Sequence, residues 1–303
     1  MDPLNKWMVG LDLTSIDHSV IKYTKLLHDI LKPQRIEFVH MASWLPDAVH
    51  VHLPDQMKAT GYEELLAEVE KVVLQYFSKD DPITCEVMEG SVQFDLWRDT
   101  YLKEVDLFIV GSKEKHQGRG LFPKKFVRKS FCSVLFVPEE IPAELSRVWV
   151  PVDFSAASGD ALNFALQLTQ QLESSPEVCV QHVYEMPHAY YYEGFPRDEI
   201  MRAVREAAES QFEEFNTTYN QYQLPVTSIF TPLVTSYASD HIKKEAEARQ
   251  ASLILIAAGG RSRFSKFFLG SETEKLVQLE KKVPLLVLKE RKDYVGLWDL
   301  INP

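Results

Sequence analysis

Short apolar runs of four to seven residues alternate along the chain with longer amphipathic stretches. A run that is apolar on both faces is how a strand reads when helices cover both sides of a parallel sheet, and the amphipathic stretches between read as crossover helices. The pattern predicts strands in the first half at WMVGLD (7–12), IEFVHM (36–41), ITCEVM (83–88), LFIVG (107–111) and VLFV (134–137). In the second half it predicts them at VWVPVD (148–153), VCVQHVY (178–184), VTSIFT (226–231), LILIA (253–257) and LLVL (285–288). The class is α/β.

The two sets match in order, which predicts an internal repeat. Asp12 closes the first strand and Asp153 its counterpart, 141 positions on; His40 and His182, near the second-strand ends, lie 142 apart. Downstream, Gly111 corresponds to Ala257 and Val134 to Leu285, so the second copy has gained residues near its last loop and helix. After Asp153, Ala161, Ala165, Leu168 and Leu172 recur at helical spacing, with Ser155 where an N-cap belongs; Thr14 or Ser15 takes that role in the first copy. PEEIPAELS (138–146) reads as the linker, giving domains over 1–140 and 145–290 and a tail over 291–303. RDEIMRAVREAAESQFEEF (197–215) reads as a solvated helix face.

A chain of 303 residues suffices for two domains of ordinary size, and 45% hydrophobic with 25% charged residues is a globular balance. The net charge of −11 opposes attraction to nucleic acid and to anionic membranes. No signal peptide is expected from the acidic start, and no uncharged apolar run nears the roughly 18 residues a membrane span requires, so the expected location is the cytoplasm. Cys85, Cys132 and Cys179 lie apart in strand-like runs and read as reduced core thiols. His50 and His52 alternate as two metal ligands could, but no Cys or carboxylate set completes them, and they read as loop histidines. The aromatic run from Met186 to Tyr192 reads as packing or as cover for a ligand, and the apolar tail around Trp298 as docked on its own chain or on a second subunit. No nucleophile elbow, Walker loop or spaced acidic pair is present, so catalysis is not expected.

The segments VWVPVDFS, VQHVY, LILIAAGGRSRFSKFFLGSETEKL and VPLLVL together resemble a universal stress protein domain, and MVGLDLTS, FVHM, MEGS, DLFIVGS and CSVLFV resemble it again in the first half. The resemblance implies two tandem domains, each a five-stranded parallel sheet flanked by helices with adenine nucleotide alpha hydrolase-like, Rossmann-type layering. It also implies pairing of the two domains within the chain and, in many members, a bound ATP. The family signature is G-x-x-G, nine residues, then G-S or G-T; the second copy supplies Ala257, Gly260 and Gly270-Ser271, three of four elements. Glycines let a backbone approach phosphate closely, and the helix after Gly270-Ser271 would aim free N–H groups at an anion. Arg261, Arg263 and Lys266 read either as solvated or as a local anion field. By resemblance Pro151 joins the site, Asp153 faces the ribose hydroxyls and Val183 offers main-chain groups to the adenine; Asp153 reads equally as a strand-end or helix-capping carboxylate.

The first copy keeps Gly111 but has Glu114 at the next signature position, and its loop is short before Gly120 and Leu121. A carboxylate there repels phosphate, so no ATP is expected in that domain. Its many basic residues, from Lys113 to Lys129, read as solvated or as contacts for an acidic partner. The expectation is therefore a stress-response binding protein that takes ATP or a related adenine nucleotide in its second domain, with Mg able to accompany it. Association into a homodimer stays open. The alternative is an interaction protein without nucleotide, or a carrier of a more apolar ligand; a third reading is slow ATP hydrolysis, for which the sequence offers no base or metal ligand beyond Asp153.

Overall fold

The computed structural model describes residues 4–42, 55–89, 95–112, 127, 130, 132–185, 196–234, 237–258, 271–279 and 282–289. They fall into two compact units, one built mainly from Asp2–Ile141 and the other from Pro142–Leu279 with Val283–Lys289. The histidines at 50 and 52, the aromatic run at 186–192, the loops at 113–121 and 259–270 and the tail lie outside the described residues.

The first unit runs β1 (Lys6–Leu11), α1 (Ile16–Leu31), β2 (Arg35–Ala42), α2 (Asp55–Val73), β3 (Ile83–Glu89), α3 (Asp95–Leu102), β4 (Leu107–Gly111) and β5 (Ser133–Val137). Its strands are parallel in the order β3-β2-β1-β4-β5. The second unit runs β6 (Arg147–Pro151), α4 (Ala156–Gln170), β7 (Glu177–Tyr184), α5 (Arg197–Tyr219), β8 (Thr227–Pro232), α6 (Ala238–Ala248), β9 (Leu253–Ala257), α7 (Ser271–Gln278) and β10 (Leu285–Leu288). Its order, β8-β7-β6-β9-β10, repeats the first. All ten expected strands are present. Asp12 and Asp153 are not the last strand residues, however: β1 stops at Leu11 and β6 at Pro151.

Strand order reverses between β1 and β4, and again between β6 and β9. Ligands of open parallel sheets bind outside the carboxyl ends of the strands at such a switch point. In the first unit the pairing of β1 with β4 extends to Gly10↔Val110, whereas the ladder of β6 with β9 ends at Trp149↔Ile254. Pro151 stands where the first copy has Gly10, and proline has no N–H to give a neighbouring strand.

Both sheets are cores in themselves. Met8, Val9, Phe38, Phe108 and Phe136 are fully buried in the first, and Val148, Trp149, Val150 and Leu255 in the second. The buried indoles keep partners: Trp7 donates to the Leu4 carbonyl at 2.7 Å and Trp149 to Gln181 Oε1 at 2.8 Å. Lys103 Nζ, just past α3, donates to Glu37 on β2 at 2.5 Å and Glu86 on β3 at 2.6 Å; burial pushes the Glu37 carboxyl above its ordinary range.

Helices α4 and α5 approach through Gly159, where a Cβ would lie 2.3–2.5 Å from ring atoms of Tyr219. The equivalent position in the first copy is His18, on the exposed side of α1, within 3.1 Å of the Tyr76 hydroxyl. Replacing Gly159 with Ala would gain helix propensity but force the aromatic ring and α5 aside, and overpacking costs typically ~1–3 kcal/mol. Gly159→Ala is therefore expected to lower the melting temperature, and a Tyr219→Leu background should remove most of that cost in a double-mutant cycle.

Candidate functional site

In the second domain the chain leaves β6 through a tight turn. Phe154 adopts a left-handed φ of 62°, and Asp153 Oδ1 accepts both the Ser155 N–H at 3.0 Å and the Ser155 hydroxyl at 2.5 Å. Ser155 then caps α4, its hydroxyl accepting the Ser158 N–H at 3.2 Å. From the neighbouring strand, His182 Nδ1 lies 2.9 Å from the Val152 carbonyl. A carbonyl only accepts, so Nδ1 carries the proton. The imidazole also stacks on Phe154, with ring centroids 4.2 Å apart and an interplanar angle of 28°, and Phe215 of α5 meets Phe154 edge-on. The turn is thus held from two sides.

The fourth strand of this domain ends at Ala257. No left-handed φ occurs there, so its Cβ introduces no backbone strain where the family signature has glycine. Its sheet position is that of Gly111: Ser112 N–H donates to the Val137 carbonyl at 2.7 Å, and Ala258 N–H to the Leu288 carbonyl at 2.8 Å. A Cβ on Gly111 would lie 2.9 Å from Ile16 Cδ1. The helix position equivalent to Ile16 is Ala157. The equivalent positions thus pair glycine with isoleucine in one copy and alanine with the smaller alanine in the other, which leaves room for the Cβ at 257.

Helix α7 begins at Ser271, and its first turn is tied down. The buried Thr273 donates its hydroxyl to the Ala257 carbonyl at 3.4 Å. Glu272 turns away from its own helix end and accepts the Ser239 N–H in the first turn of α6 at 2.8 Å. Lys275 Nζ lies 3.6 Å from Glu272 Oε1 and 2.9 Å from the Tyr237 ring centroid. α6 has no side-chain cap of its own, since Tyr237 occupies the N-cap; Glu272 supplies one from the other helix.

The first domain repeats the turn with one change. Leu13 has φ 57°, Thr14 donates its hydroxyl to Asp12 Oδ1 at 2.5 Å, and His40 Nδ1 lies 3.0 Å from the Leu11 carbonyl. The N-cap is Ser15, but its side chain makes no cap bond, contrary to the role expected of Thr14 or Ser15. Asp17 reaches back instead, its carboxylate accepting the Leu13 N–H at 2.7 Å and the Asp12 N–H at 3.3 Å while only 3% exposed. Burial, and then the Asp12 charge, push the Asp17 carboxyl up to about 6.

The fold therefore brings Pro151, Asp153, Val183 and Ala257 to the carboxyl ends of β6, β7 and β9, on one edge of the sheet, and Ser271 begins the helix fastened to the end of β9. Gly260, Arg261 and Gly270 lie outside the described residues. Phe154, Asp17 and Glu272 were not picked out from the sequence. The spacing Thr14-x-x-Asp17 was a signal for one of them, since a carboxylate three residues after a cap can reach back to free backbone N–H groups. Elsewhere, Cys132 and Cys179 are buried as expected of core thiols, whereas Cys85 is only partly buried; burial pushes the Cys85 thiol up to about 11 and the Cys179 thiol to about 12. No group of three or more metal-binding side chains occurs among the described residues, and no helix among them is long and apolar enough to cross a membrane.

Residues 144–289 match the family model described as the universal stress protein family. Among solved structures, a universal stress protein from Archaeoglobus fulgidus is 17% identical, with a TM-score of 0.64 over 95% of this chain and 99% of its own. A candidate universal stress protein from Pseudomonas aeruginosa is 13% identical, with a TM-score of 0.65 over 99% and 98%. A functionally unknown protein from the same species is 12% identical, with a TM-score of 0.64 over 98% and 96%. Such identities establish a shared fold across the length of the chain. No curated protein matches it.

Two outcomes follow from the contacts. Removing the borrowed cap with Glu272→Ala should cost about 1 kcal/mol in chemical denaturation, the usual value of a lost helix cap. The Asp17 carboxyl is raised from 3.8 to about 6, so its contribution is most favourable below 3.8, where it is protonated folded and unfolded alike. That contribution is lost as pH rises toward 6. The melting temperature of the wild type relative to Asp17→Ser should therefore fall between these values and then level off.

Proposed function

Residues 144–289 are a domain of the universal stress protein family, and from that premise we propose that the second domain binds ATP or a related adenine nucleotide, with the chain acting as a binding protein in a stress response. The observation that carries this reading is the convergence at the switch point of its sheet. The Asp153 turn follows β6, and β9 ends at Ala257, where the Thr273 hydroxyl fastens the first turn of α7. Between Ala257 and that turn the sequence runs AGGRSRFSKFFLGS, with Gly260, Arg261 and Gly270.

Each part has a task. An unstrained alanine at 257 is compatible with phosphate close by. The backbone N–H groups at the start of α7 favour an anion, and Gly270 before them lets the chain come close to it. Glu272, which would otherwise set a negative charge beside that anion, is drawn off to α6. Asp153 suits hydroxyl groups of a ribose, and Val183, beside the anchored His182, suits an adenine edge through its main chain. Mg would accompany the phosphates as a counter-ion. Binding of this kind shifts whichever arrangement of loop and partner has the higher nucleotide affinity, by no more than that difference.

Calorimetric titration with ATP should show saturable binding by the full chain. Gly260→Asp should weaken it about tenfold or more, because it places a charge and a side chain where the backbone must approach phosphate. Equal affinity of the two proteins would remove the assigned loop. Mass analysis of material released from freshly purified protein should find an adenine nucleotide; a lipid instead would favour a carrier of apolar molecules.

A further inference from the structure

The two domains carry the same turn on the same backbone, and they differ in what fills it. In the first, the Asp17 carboxylate accepts the Leu13 N–H at 2.7 Å and the Asp12 N–H at 3.3 Å. The equivalent residue in the second is Ser158, whose hydroxyl is directed elsewhere, donating to the Ser155 carbonyl at 2.9 Å. The backbone has not moved to compensate: the left-handed residue has φ 57° in one copy and 62° in the other, and each strand-end histidine holds the carbonyl just before the aspartate. The Phe154 N–H, counterpart of the one that Asp17 takes, meets no acceptor among the described residues.

We infer that the residue at positions 17 and 158 decides which of the two homologous turns accepts the nucleotide: Asp17 closes the first from within, and Ser158 leaves the Phe154 N–H of the second open to an oxygen of that ligand. The inference rests on the nucleotide reading above and names the group that confines it to one domain. Two effects act together. The internal carboxylate takes the Leu13 N–H, the donor whose counterpart on Phe154 a ligand oxygen would use. It also sets a second negative charge beside Asp12, so an incoming nucleotide meets two carboxylates in the first domain and one in the second. With its carboxyl raised to about 6, Asp17 is still ionised at neutral pH. This is separate from the loop after β4: even a complete glycine loop in the first domain would face an occupied turn.

The test transplants the closure. Ser158→Asp in the full chain should fold, since an acidic residue in the first turn of a helix is favourable, and should bind ATP at least about tenfold more weakly than wild type with its melting transition retained. Ser158→Asn, of the same length without the charge, must lose less. ATP binding by Ser158→Asp equal to that of wild type overturns the inference and leaves the nucleotide reading standing. A wild type that binds no ATP removes that reading, and the closure is then read without ligand, from hydrogen exchange at Leu13. That amide should be protected in wild type and exchange at least about tenfold faster in Asp17→Ser; equal exchange in both overturns the inference.

Discussion

Everything at the carboxyl edge of each sheet depends on one backbone constraint, the left-handed residue that follows the strand-end aspartate. An L-residue with a side chain in that region costs of order 1–3 kcal/mol, so it persists only where its surroundings fix it. Here the surroundings are the aspartate carboxylate, which accepts the hydroxyl two residues on, and the histidine of the adjacent strand, which holds the preceding carbonyl. In the second domain the left-handed residue is Phe154, and stacking against His182 with edge contact to Phe215 adds aromatic attraction that Leu13 lacks. Without this turn the first helix would not begin where it does, and neither aspartate would stand at the switch point.

The second constraint is the close approach of that first helix to the fourth strand. It is satisfied twice by different means: Gly111 leaves room for Ile16, and Ala257 stands where the facing helix position is Ala157. Exchanging isoleucine for alanine removes three side-chain carbons where exchanging glycine for alanine adds one, so the added Cβ finds room that a densely packed interior would otherwise refuse. The paired exchange also alters the meaning of a missing signature glycine. A glycine required for a positive φ cannot be exchanged for alanine without strain, whereas one required for space can be if its neighbour shrinks.

Most of the architecture was legible in the sequence because strands buried on both faces read as continuous apolar runs, and because two copies of one pattern corroborate each other. All ten strands lie where those runs lie. Their ends were less legible: Val152 continues the apolar run beyond Pro151, yet the ladder to β9 has already stopped, because proline cannot donate to it. The cap of α1 was misplaced for a related reason. Thr14 and Ser15 have the right chemistry, but the Thr14 hydroxyl is committed to Asp12, and the helix start is served by a carboxylate from inside the first turn. The borrowed cap on α6 was out of reach altogether, since Glu272 and Ser239 lie 33 positions apart and nothing in either local pattern connects them.

The charges at the two helix starts follow one rule. Free N–H groups at the carboxyl edge attract any available carboxylate, and a protein that leaves them for a ligand must keep its own carboxylates occupied elsewhere. In the second domain this is met twice, by a serine at position 158 and by drawing Glu272 onto α6. In the first domain Asp17 is the available carboxylate, and it takes the amides itself. Burial beside Asp12 raises its proton affinity, and ionisation there is tolerated because backbone N–H groups surround it. The two copies thus share one scaffold, while a change of one side chain between acid and alcohol separates a turn whose Leu13 N–H is taken by its own carboxylate from one whose Phe154 N–H is not.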